Sequence, residues 1–168
     1  MSGLLVRATF VLLTFLPPTL PVKAEGENPF RVCMRQLQES GVTGEKAQVG
    51  CATSLSPQEF SGCVSKIVAT GIPPETALTS CYQVRRPLEM ANCVVDIDKK
   101  VLQIRESAKG GETPLQLALK TCQRSLLPKR QAECVIGLAI SGSNPMTAME
   151  TCIKAQDFPD ALFPSEKP

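Results

Sequence analysis

The chain has 168 residues, 18 Lys and Arg against 16 Asp and Glu, one Tyr, eight Cys, and neither His nor Trp. That length suits one domain with a substantial core, while the lack of histidine removes the usual general base and the commonest metal ligand. So few aromatics and so small a net charge leave no concentrated basic surface, and no nucleic-acid partner is expected.

Residues 1–24 read as an export signal. Arg7 supplies the basic start, residues 8–16 (ATFVLLTFL) form the apolar run, Pro17 and Pro18 break it, and Val22 and Ala24 suit signal-peptidase cleavage. The run is far shorter than the roughly 20 residues of a spanning helix, so no permanent membrane anchor is expected after cleavage. Losing Arg7 and Lys23 takes the 18 basic residues to 16, equal to the acids, and the processed chain is neutral.

From Glu25 onward the cysteines set the pattern. Cys33, Cys51, Cys63, Cys81, Cys93, Cys122, Cys134 and Cys152 follow one another at gaps of 18, 12, 18, 12, 29, 12 and 18. The alternation is a 30-residue period with 11 residues inserted once, which marks a four-repeat domain over residues 25–156. CVSKIVATGIPPETALTSC (63–81) and CVIGLAISGSNPMTAMETC (134–152) align at Cys, Val, Gly, Pro and Thr-Ala. The unit 33–51 keeps Leu37, Gly41 and Ala47, and the unit 93–122 carries the insertion.

Each repeat is predicted to be a helical hairpin. Pro57, Pro87 and Pro128 lie midway across the 12 gaps, where proline suits the first position of a lead helix. These helices are expected over 57–70, 87 to about 107, and 128–141, the first with a Ser56/Glu59 capping box. Phe60, Cys63, Val64, Ile67 and Val68 form an apolar stripe of helical period. Gly41, Gly71, Gly110 and Gly142 are expected to end the lead helices in the left-handed conformation. Return helices start at Thr113-Pro114-Leu115-Gln116 and Asn144-Pro145 and run through the second cysteine. No stretch alternates as a strand would, so the fold class is all-α, with about eight helices stacked as a short array.

Eight cysteines in an exported chain read as disulfides. Bridging the wide gaps pairs Cys33–Cys51, Cys63–Cys81, Cys93–Cys122 and Cys134–Cys152, whereas bridging the 12 gaps strands Cys33 and Cys152. Parity favours the first scheme. Ala47, Ala77, Ala118 and Ala148, one turn before each second cysteine, supply the close approach it needs. The constancy of the 12 gap speaks for the second, because a bridged hairpin keeps its length.

Catalytic motifs are missing. The chain has no G-x-S-x-G, no phosphate-binding glycine loop and no C-x-x-C, and its cysteines are too widely spaced for a zinc cluster. Asp96 and Asp98 are two apart on a helix and read as solvated surface. Met146 and Met149 near Cys152 read as core packing rather than soft-metal ligands, so no catalytic residue, metal or cofactor is expected. Contact residues stand out instead. Arg85, Arg86, Lys129 and Arg130 fall at equivalent junctions and are expected along one edge of the stack. The insertion 98–111 should lengthen its lead helix by up to three turns, with Val101, Leu102 and Ile104 buried by a neighbouring repeat or by another protein. Phe158 and Phe163, in the Pro-containing tail 157–168, are expected to cap the stack or to dock into a partner.

The run CYQVRRPLEMANCVVDI (81–97) resembles small exported cyanobacterial proteins of unknown function. The resemblance spans most of the processed chain. It implies a periplasmic or thylakoid-lumenal location and carries over no activity and no site. Plant lipid-transfer proteins, saposins and twin C-x9-C hairpins all differ from this chain in their cysteine spacing. The expected function is that of a non-enzymatic module binding another protein in an oxidising compartment. The alternatives are a carrier of a small apolar ligand between helices and thiol-based metal or redox handling.

Overall fold

The computed structural model describes residues 26–103 and 113–154. Eight α-helices and no strand occur among them: α1 (Pro29–Glu39), α2 (Gly44–Thr53), α3 (Pro57–Val68), α4 (Pro74–Tyr82), α5 (Pro87–Ile97), α6 (Pro114–Arg124), α7 (Pro128–Ile140) and α8 (Pro145–Ile153). Every helix except α2 starts at a proline, whose missing N–H costs nothing in the first turn. Ser56, Arg86 and Leu127, each preceding one of these prolines, share nearly one backbone conformation (φ −132 to −128°, ψ 73 to 82°). Proline disfavours the α region for its predecessor, so the chain leaves each junction at the same angle.

The lead helices α1, α3, α5 and α7 pack side by side in chain order, and each is paired with its return helix. Disulfides join the pairs Cys33–Cys51, Cys63–Cys81, Cys93–Cys122 and Cys134–Cys152, with Cα–Cα distances of 5.9–6.0 Å. Ordinary helix pairs stand about 8–10 Å apart. Ala47, Ala77, Ala118 and Ala148 are buried one turn before each second cysteine, and their small side chains permit the closer approach. The 12-gap scheme is thereby excluded. Its constancy belongs to the junctions, which set the spacing between hairpins, while the one insertion falls in the sequence between α5 and α6. Each bridge constrains the unfolded chain by about 3 kcal/mol in the loop-entropy account.

Gly41, Gly71 and Gly142 end α1, α3 and α7 with φ of 85–103°, a region other residues rarely enter. Val42 and Ile72, directly after two of them, fold back into the core. Leu37, Phe60, Val64, Ile67, Met90, Val94, Ile97 and Val135 fill that core between the two helix layers. Polar seams cross the lead layer: Ser61 Oγ donates to Gln36 Oε1 at 2.6 Å, and the Ser40 and Ser65 hydroxyls meet at 2.8 Å. No buried side-chain polar atom among the described residues lacks a partner.

Several expectations are corrected. The Ser56 side chain makes no cap bond, because its ψ of 82° turns the hydroxyl away from the first turn. Thr113 and Asn144, at ψ 150° and 135°, do cap their helices, and Thr113 forms the full capping box with Gln116. Lead helix α3 stops at Val68 and α7 at Ile140, slightly short of the predicted ends. Past Ile97, the insertion continues α5 as a π-helical turn (Asp98–Leu102) that packs on α6 and α7. Val101 is therefore buried in the protein's own core and Leu102 is packed against it, so Val101 is not a surface for a partner. Asp98 is also buried, accepting from Gln103 Nε2 at 2.7 Å, and is not the solvated carboxylate expected. Ile104, Gly110, the signal segment, Phe158 and Phe163 lie outside the described residues.

Candidate docking edge

The loops joining one hairpin to the next lie along one edge and enclose three adjoining grooves. The first, about 580 Å³, runs between residues 53–56 and 81–87 over Phe60. The second, about 360 Å³, runs between residues 83–86 and 122–128 over Met90. The third, about 380 Å³, is bounded by residues 124–127 and by Cys152 and Ile153, over Gln131. Gln83, Val84 and Arg85 wall both the first and second grooves, and Arg124, Ser125 and Leu126 wall both the second and third. Phe60, Met90 and Gln131 each stand three residues before the first cysteine of a hairpin, so the three floors are set by one register.

The rims carry the chemistry. Leu55, Arg85 and Leu126 each lie four residues after a second cysteine. Leu55 is fully exposed, Leu126 is 91% exposed, and Leu127 beside it is 53% exposed. Large apolar side chains so open to water are unfavourable unless something covers them. Among the described residues, the exposed Arg85, Arg124 and Arg130 are in no ion pair, and no carboxylate lines the second or third groove. Arg86, also on the second groove, meets Glu89 at 3.3 Å.

The predicted basic edge is thus brought together in part. Arg85, Arg86 and Arg130 fall on the grooves, joined by Arg124. Lys129 does not: it faces a separate groove between α5 and α7 with Glu89 and Asp96, and pairs with Glu133 at 3.9 Å. One position along a helix is a rotation of about 100°, enough to turn neighbouring residues to different faces. Leu55, Leu126 and Leu127 were missed because they sit in loops, where helical periodicity gives no signal. An apolar residue just before a junction proline was the available clue.

A second groove type lies between the return helices α2 and α4. It measures about 400 Å³ and is lined by Val49, Gly50, Phe60, Leu78 and Tyr82. Polar latches tie its two ends: Lys46 Nζ lies 2.6 Å from Glu75 Oε2, and the Tyr82 hydroxyl donates to Thr53 Oγ1 at 3.0 Å. Phe60 meets Tyr82 edge-on, with ring centroids 5.9 Å apart.

The eight cysteines are all bridged, leaving no thiol for metal or redox handling. Four disulfides suit an oxidising, exported environment, and no described helix is long and apolar enough to cross a membrane. The fold and edge define a stack of disulfide-stapled α-hairpins with a row of loop-walled grooves. Comparison with protein-family models, curated proteins and solved structures finds no match.

Proposed function

We propose that the protein is a non-enzymatic interaction module, built from four copies of one hairpin, that binds an extended segment of another protein along its junction edge. The observation that carries this is the row of three adjoining grooves in one register, rimmed by the uncovered Leu55, Leu126 and Leu127. Neighbouring helices repeat at about 8–10 Å and an extended chain advances about 3.4 Å per residue, so roughly every third residue of a bound segment meets a groove. The arginines on the second and third grooves suit a segment mixing acidic and apolar residues. Processing at Ala24 and a periplasmic or thylakoid-lumenal location fit this reading, because both partners would then meet in an oxidising compartment.

Panning a random peptide library against the oxidised protein tests the reading. The expected result is an acidic–apolar consensus with an approximate three-residue period, bound at least tenfold more weakly by Leu55→Glu/Leu126→Glu. No enrichment, or a consensus indifferent to those changes, overturns it. The groove between α2 and α4 favours a second reading, a carrier of a small apolar ligand. Displacement of a bound fluorescent apolar probe, lost in Leu78→Asp but kept in Leu126→Glu, would identify that activity.

A further inference from the structure

The third groove lies where the described chain ends. In the first and second grooves the far wall runs along the loop after the next second cysteine, from Cys81 to Arg85 with Pro87 and from Cys122 to Leu126 with Pro128. In the third, the described residues on that side are Cys152 and Ile153, across from Leu126, Leu127, Arg124 and Arg130. The residues that occupy the same register are those directly following α8. Residue 158 lies six places after Cys152, where Pro57, Pro87 and Pro128 lie after Cys51, Cys81 and Cys122.

The composition of that stretch matches the groove. Residues 157–163 read DFPDALF, with Asp157 and Asp160 interleaved among Phe158, Leu162 and Phe163. Among the described residues, the groove offers two arginines, two exposed leucines and no carboxylate. Only residues 154–156 separate Ile153, itself on the groove wall, from Asp157, a reach of about 10 Å or more for an extended chain. So short a tether gives a high effective concentration, and a weak individual contact suffices to hold the segment.

We propose that residues 157–163 dock into the third groove of their own chain, in the register that the loops after Cys81 and Cys122 hold in the other two, and cover Leu126 and Leu127. Asp157 and Asp160 pair with Arg124 and Arg130, and Phe158 and Leu162 lie over the leucines. The first two grooves are then the ones left for a partner. This rests on the reading of the junction edge as a peptide-binding edge, but its failure would leave the first two grooves untouched.

The chain has no tryptophan, so one introduced indole reports alone. Phe158→Trp in the full oxidised chain is compared with Glu166→Trp, outside the proposed contact. Docking predicts a blue-shifted emission for Phe158→Trp and acrylamide quenching at least threefold weaker than for the control, both independent of protein concentration. Adding Arg124→Glu/Arg130→Glu, or separately Leu127→Asp, should return both signals to control values, with unchanged far-UV circular dichroism confirming the fold. An indole as red and as quenchable as the control overturns the proposal. So does a shift that grows with concentration, which places the segment on a second copy, or one indifferent to the groove substitutions.

Discussion

Gly50→Ala sets two effects of known size against each other. Gly50 lies inside α2, where alanine favours the helix by about 0.8–1.0 kcal/mol. A Cβ there, however, would come within 2.9 Å of Phe60 Cε1 and 3.2 Å of Cζ. That ring is buried and held edge-on by Tyr82, so it can yield only by disturbing its own packing. Overpacking of this kind costs about 1–3 kcal/mol, which outweighs the helix gain and leaves a net loss of about 1 kcal/mol. Phe60→Leu removes the two clashing ring atoms. In that background Gly50→Ala should become stabilising by nearly its full helix propensity, giving a coupling of about 1–3 kcal/mol. Guanidinium unfolding followed by far-UV circular dichroism, with all disulfides intact, reads both differences. If Gly50→Ala stabilises the parent, or costs the same in both backgrounds, the account of the α2/α4 groove floor is refuted.

Graded reduction should open Cys134–Cys152 first, because its two half-buried cysteines admit a thiol while the other six are 0–2% exposed; alkylation and peptide mapping at early times would show it. At the start of α1, the Arg35 guanidinium donates to the Glu27 carboxylate, with Nη2–Oε2 at 3.0 Å, and holds its pKa below the usual range. The contribution of that pair is therefore complete at neutral pH and fades as acid protonates Glu27 through its lowered pKa. Glu27→Gln should abolish the acid-induced loss of amide protection in the first turn of α1, measured relative to intrinsic exchange at each pH, and an unchanged protection profile would count against the pairing.

The cysteine spacing, the junction prolines and the terminating glycines made much of the fold readable in advance. A proline opens a helix and a left-handed glycine closes one, both acting locally, and parity favours the pairing across the wide gaps over that across the 12 gaps. The Ser56 cap failed because a backbone angle imposed at the junction overrode a side-chain preference. The fate of the insertion was open for a different reason. Whether Val101 meets its own core or another protein depends on where α6 and α7 stand, and no local pattern contains that distance.

The candidate docking edge shows the same division. Arg85, Arg86 and Arg130 were legible as basic residues at matching junctions, yet the separation of Lys129 from Arg130 rests on one residue of helix rotation. The exposure of Leu55 and Leu126 depends on loops that the helix stack leaves uncovered. Sequence alone determined an all-α chain of four helical hairpins and favoured one disulfide pairing without excluding the other, because capping, periodicity and parity are properties of the linear order of residues. Tertiary structure alone decided which side chains share a groove, because grooves form between elements distant in the chain, and their shape is set by packing.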